Sequence, residues 1–168
     1  MNRLVLWASL LACAMIQAIL PAWQSMGQAK PPLLLGAVLY YALSRNNLQV
    51  VEAALLAGLL QDSLGPIPHG FSVFAFVFVA LLVNQYRERI FGDHWFTHVI
   101  LGVGASVLVT LILYILLMGI GLRRDLTFSF VMTKAFGMSL MGIVIFPLVY
   151  KIIDTLDLSL GNRQRREF

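Results

Sequence analysis

The chain has 168 residues, 60% of them hydrophobic and only 12% charged, where a soluble domain carries about a quarter charged residues. An ordinary soluble domain is excluded, because helices that are apolar on every face need lipid or a large protein core to cover them. The formal charge of +4 arises from 12 basic and 8 acidic side chains; the basic ones fall in short loops and at the C-terminal end, so they report membrane orientation and give no ground for nucleic-acid binding.

Six apolar segments read as transmembrane helices, at residues 4–20, 31–43, 48–64, 71–86, 98–119 and 128–153. The first follows the start "MNRLVLWASLLACAM", whose positive charge and "LLAC" are similar to a lipoprotein signal. Its apolar run outlasts the ~7–15 residues of a signal core, so it is expected to remain as a span. It carries Cys13, the single cysteine, which leaves no intrachain disulfide to form. The second segment has thirteen residues, about 20 Å of helix against a hydrocarbon core of ~30 Å. It is still read as a crossing, because without it the basic C-terminal end would land outside.

With the N-terminus inside, Arg3, Arg45, Arg87, Arg89, Lys151, Arg163, Arg165 and Arg166 lie on the inner side and Lys30, Arg123 and Arg124 on the outer side. That asymmetry favours both termini inside. Trp7, Trp23 and Trp95 fall near expected helix ends, where indoles favour the interface. The expected architecture is therefore an all-α integral membrane protein, one bundle of six transmembrane helices over residues 1–168, with residues 154–168 as a short basic cytoplasmic tail.

In the third segment Ala54, Gly58 and Asp62 recur every four residues, and in the fifth Gly102, Ser106 and Thr110 do the same. Small residues at that spacing let another backbone come close, the usual chemistry of helix association in lipid. These stripes are the expected packing seams and the candidate surface for a partner helix. Asp62 then leads into "QDSLGPIPHG", where Gln61, Pro66, Pro68, His69 and Gly70 form a candidate turn or pocket. One reading has the carboxylate accepting backbone N–H groups of that turn or of the next helix; the other treats an intramembrane acid as a ligand, proton or partner site. Lys134 lies at matching depth in the last segment, and an Asp62–Lys134 pair is the leading expectation for how both charges are tolerated. Glu52 is read as an interfacial acid, or as a partner of Lys151.

No catalytic set emerges. His94 and His98 are four apart in "GDHWFTH", but the glutamate of a H-E-x-x-H site is missing and only Asp93 is near; interfacial histidines are the simpler reading, and no metal or cofactor is expected. There is no nucleophile elbow, P-loop or dinucleotide fingerprint. The serine of "GVGAS" has no base at its depth, and Glu52 and Asp62 stand at opposite leaflets, too far apart for a protease dyad. A non-enzymatic protein is expected. The tail "DTLDLSLGNRQRREF" ends in basic residues that suit anionic lipid, at about 1 kcal/mol per residue near the surface, or a cytoplasmic partner.

The succession "PPLLLGAVLYYALSRN" and "AALLAGLLQDSLGPIPHGFSVFAFVFVALLVNQYRERIF" resembles the rod shape-determining protein MreD family. The resemblance rests on a short proline-started span ending in a polar-basic turn, a G-L-l-x-D signature at Gly58, Leu59, Leu60 and Asp62, a turn glycine matched by Gly70, and "PLVYKIIDTL" near the C-terminus. Glu52 and Pro68 are not part of that pattern. The resemblance implies a multi-pass subunit of the bacterial inner membrane in the cell-elongation machinery. Its implied partners are the single-span MreC, the actin-like MreB, and RodA with a class B penicillin-binding protein. The family is also similar in fold to substrate-binding subunits of vitamin transporters, which keeps a small-molecule transport subunit as the alternative. A carrier for a lipid or polyprenyl group in a side groove is a third.

Overall fold

A computed structural model describes residues 3–21, 23, 30–65, 68, 70–86, 95–119 and 128–159. Within them the chain forms six helices and no strand: α1 (Arg3–Ile19), α2 (Leu33–Ser44), α3 (Asn47–Ser63), α4 (Phe71–Tyr86), α5 (Trp95–Gly119) and α6 (Phe128–Ser159). Each lies where an apolar segment was expected, with two differences at the ends. Helix α5 starts at Trp95 rather than near residue 98, and α6 continues to Ser159, six residues past the apolar run that was taken to end at 153. The extra turns of α6 carry Asp154 and Asp157, and the burial of Asp157 against α2 explains why the helix does not stop where hydropathy falls.

Helix α2 is the centre of the bundle. Pro31 and Pro32 start it, since a proline at a helix start gives up only donors that have no helical partner, and Arg45 ends it with an extended backbone at φ −128°, ψ 169°. All residues from Leu33 to Ala42 are buried. The other five helices all pack on it, in the order α1, α3, α4, α5, α6, each touching the next. Lipid supplies no hydrophobic drive between such helices, so cohesion comes from close packing and hydrogen bonds. Gly36 of α2 faces Val149 of α6, with 3.3 Å between an ideal Cβ at the glycine and the valine side chain.

The helices differ in length. At 1.5 Å per residue α1, α3 and α4 run about 24–26 Å, α2 about 18 Å, α5 about 37 Å and α6 about 48 Å. Two helices among the described residues, spanning Val99–Gly119 and Val131–Leu158, are long and apolar enough to cross a membrane; α1, α2 and α4 are shorter apolar helices. Only 28% of each long window is buried, which sets them apart from the core helices of a soluble protein. Their outward faces carry Ile100, Ile115, Phe136 and Val144, each at least 66% exposed. Opposed contacts at Gly102/Phe146, Ser106/Gly142 and Thr110/Met138 set the antiparallel register of α5 on α6. Because Gly36 is level with Val149, α6 runs on for about 27 Å of helix beyond the start of α2, paired there with α5.

Glycine permits two of the closest approaches. A Cβ on Gly58 would collide with the Cα of Val73 and lie 2.7 Å from its backbone nitrogen, so α3 and α4 meet backbone to backbone. A Cβ on Gly102 would collide with the ring of Phe146, a side chain. Gly104 has open space. Gly58→Ala is therefore expected to destabilise the protein in detergent by about 1–3 kcal/mol through overpacking, Gly102→Ala by less, and Gly104→Ala not at all; thermal unfolding of the three variants checks the ranking.

Candidate functional site

Polar side chains gather in two layers, at opposite ends of the α1–α4 core. The first is built on the turn from α3 to α4. Asp62 closes α3 with its side chain 1% exposed. Its Oδ2 accepts the N–H of Gly70 at 2.6 Å and its Oδ1 the N–H of Ser72 at 3.1 Å. Both donors belong to the beginning of α4, where the first N–H groups have no helical partner and the helix dipole favours a negative charge. Gly70 has φ +104°, a conformation L side chains rarely adopt, so the glycine sets the chain direction that aims these donors back at Asp62. Beside the turn, Gln17 of α1 donates from Nε2 to Gln61 Oε1 at 2.7 Å, while its own Oε1 accepts Leu34 N–H at 3.1 Å. One glutamine thus joins α1 to α3 and satisfies a donor at the start of α2.

The second layer lies where α2, α4 and α6 end and α1 and α3 begin. Asp157 Oδ2 accepts the Tyr40 hydroxyl at 2.8 Å and Arg45 Nη2 at 2.5 Å. The Tyr40 hydroxyl is also 3.4 Å from Asp154 Oδ1, and its ring meets Tyr41 and Tyr150 edge-on at 5.3 and 5.1 Å. The ion pair is nearly dry, with side-chain exposures of 12% for Arg45 and 1% for Asp157. Removing one member of such a pair costs about 3–5 kcal/mol, because the other charge stays buried. Ser9 Oγ bonds Tyr41 Oη at 2.7 Å and Asn84 Nδ2 donates to Asn47 Oδ1 at 2.5 Å. At the rim, Glu52 accepts Trp7 Nε1 at 3.3 Å and lies 4.0 Å from Arg3.

Several expectations change in this light. The Asp62–Lys134 pair does not form: both oxygens of Asp62 take backbone N–H groups, and Lys134 sits on α6, which packs on α5 and α2 rather than on α3. Matching depth did not fix which side of a helix each charge faces. Glu52 turns to Arg3 and Trp7 rather than to Lys151, which is exposed. The two small-residue stripes are filled from within the chain. Ala54 and Gly58 are buried with Gly58 on α4, and Gly102, Ser106 and Thr110 are covered by α6, with Thr110 Oγ1 donating to Ser106 O at 2.8 Å. They offer no open groove to a partner. Pro68 stands in the turn before Gly70, while Pro66, His69, Asp93, His94 and the tail arginines lie outside the described residues. Among the described residues no group of His, Cys, Asp and Glu could hold a metal ion.

The sequence reading missed Arg45–Asp157 and the bridging role of Gln17. Arg45 had counted only as a topology marker and Asp157 as part of the tail. A local signal existed, since Asp154 and Asp157 are three apart and share a helix face, but their partners are 112 or more residues away.

The described residues form a helical bundle in which two long, apolar and mostly exposed helices are suited to a membrane and polar contacts between helices lie at both ends of the buried α2. Residues 1–156 match the family of the rod shape-determining protein MreD, and the chain belongs to that family. This is a family of shape-determining proteins and not a known family of enzymes. No curated protein and no solved structure matches the chain.

Asp62→Ala removes the acceptor of two N–H groups and is expected to cost about 1–3 kcal/mol, with Asp62→Asn intermediate because an amide keeps one acceptor. Combined with Lys134→Ala, the effects should add, with a coupling energy near zero; a double-mutant cycle by thermal unfolding in detergent measures it, and a large coupling would restore the rejected ion pair.

Proposed function

We propose that this protein is a non-enzymatic, multi-pass scaffold subunit of the bacterial cell-elongation complex in the inner membrane, where it binds the single-span protein MreC and helps position peptidoglycan synthesis. The observation that carries this reading is the family match over nearly the whole chain. In the proposed arrangement all six helices cross, with both termini inside. The short helices α1–α4 cross as a packed unit tied by polar contacts at both ends, and the asymmetry of lysine and arginine sets the orientation. MreB, RodA and a class B penicillin-binding protein are the proposed further members of the complex, and the basic tail rests on anionic lipid.

Since the small-residue stripes are occupied, the transmembrane helix of MreC has only exposed apolar faces to use. Helix α1, with Leu11 and Met15, and helix α6, with Phe136 and Val144, each present such a face. The side chains of Gln61 and Asp62 are spent on bonds to other elements of the chain, which argues against their specifying a small vitamin-like substrate.

The test is purification of the tagged protein from native membranes in mild detergent, followed by mass spectrometry. Recovery of MreC with wall synthases is expected, and weaker recovery from a variant with Phe136→Ala and Val144→Ala, or from one with Leu11→Ala and Met15→Ala, identifies the face. Recovery of an ATPase with a coupling membrane subunit, in place of MreC, would replace the scaffold with a transporter.

A further inference from the structure

Polar contacts at both ends of α1, α3 and α4 fix these helices against one another. At one end Gln17 bonds Gln61, and Asp62 takes the N–H groups of Gly70 and Ser72. At the other Glu52 accepts Trp7 Nε1, and Asn84 donates to Asn47. With α3 and α4 in backbone contact at Gly58 as well, none of the three is free to slide to suit a bilayer, so the block has one thickness. Its exposed apolar side chains run from Leu4 to Ile19 on α1, from Leu48 to Leu59 on α3 and from Phe74 to Tyr86 on α4, about 17–23 Å of helix. Those of α6 run from Met132 to Leu156, about 36 Å. Against a hydrocarbon core of ~30 Å, one protein carries a short side and a long side. The two are flush at one end only: Asp157, near the end of α6, meets Arg45 at the end of α2, whereas at the other end Gly36 is level with Val149 and α6 continues past the start of α2. The deficit therefore falls at the end that carries Asp62. Tilting the bundle would fit the long pair to the core, but it shortens the projection of the block as well.

We infer that the bilayer is thinned beside α1, α3 and α4, in the leaflet that meets the Asp62 turn, and keeps its full depth along α5 and α6. The partner of the short face is phospholipid whose acyl chains are short or splayed, because a span shorter than the core draws the bilayer in around it. The protein thereby sets a step in membrane thickness across its own width, whichever proteins it binds. The inference rests on the crossing of α1–α4 proposed above.

Spin labels on single cysteines of the full-length protein, in a Cys13→Ala background, test it in vesicles of phospholipid with eighteen-carbon chains; the ratio of oxygen to nickel-complex access reports depth. All the sites are exposed. Phe74→Cys and Leu148→Cys are level at the Asp62 end of the bundle, and Leu48→Cys and Leu158→Cys are level at the other. The label at Phe74→Cys is expected to lie about 5–10 Å shallower than that at Leu148→Cys, with the second pair equal and close to the opposite headgroups. Fourteen-carbon chains, which suit the short block, are expected to remove most of the difference. Equal depth in the first pair would overturn the inference. A difference of opposite sense in the second pair, which marks a tilt of the whole bundle, would overturn it too, as would a difference that ignores chain length. Leu55→Cys, midway along α3, separates this inference from the reading it rests on: access to oxygen and not to nickel is expected. Access to nickel would overturn the crossing of α1–α4 and the inference with it, while access to neither reagent would mean that protein and not lipid covers the face, which overturns the inference alone.

Discussion

Helix α2 has no face left for lipid or water: every residue from Leu33 to Ala42 is buried. Its length of about 18 Å places both of its ends inside the protein, where unsatisfied N–H and C=O groups cost several kcal/mol each. The surroundings of α2 answer that constraint. Gln17 reaches across from α1 to take the N–H of Leu34, and the N–H of Gly36 turns back to Pro32 O at 3.0 Å. At the other end Arg45 finds Asp157, and Tyr40 and Tyr41 find Asp157 and Ser9. The polar residues of this apolar chain thus concentrate where a short buried helix begins and ends.

From the same constraint follows a division of labour. Helices α1 to α4 are short and bound to each other by specific polar contacts, with α3 and α4 in backbone contact at Gly58. Helices α5 and α6 are long, apolar and mostly exposed, and they extend past the start of α2. The family is one concerned with rod shape. The long pair is apolar and exposed over most of its length, as suits a membrane, while the short block carries the ordered polar interior.

Much of this was legible in the sequence because it is written locally. Six apolar runs bounded by prolines, glycines and charges gave the helix positions within a few residues, and "QDSLGPIPHG" announced a tight turn with a carboxylate facing the start of a helix. Small residues at every fourth position marked where backbones approach, since that spacing follows from helix geometry. What the spacing does not carry is the identity of the neighbour, and α4 and α6 of the same chain fill the seams. Lys134 and Asp62 matched in depth, but depth leaves the rotation of each helix open. The pair of Arg45 and Asp157 joins residues 112 positions apart, and Gln17 sits near the end of an apolar run; neither has a local pattern that names its partner.

The central claim, that α2 is a fully enclosed axis, is tested most directly by photo-crosslinking from phospholipids that carry a diazirine along the acyl chain, with the modified residues mapped by mass spectrometry. Crosslinks are predicted on the exposed faces of α1, α5 and α6, including Leu11, Ile100, Phe136 and Val144, and none between Leu33 and Ala42. Labelling along any face of α2 in the intact protein would contradict the account, because it would mean that the helix meets lipid and that the polar contacts at its two ends do not seal it.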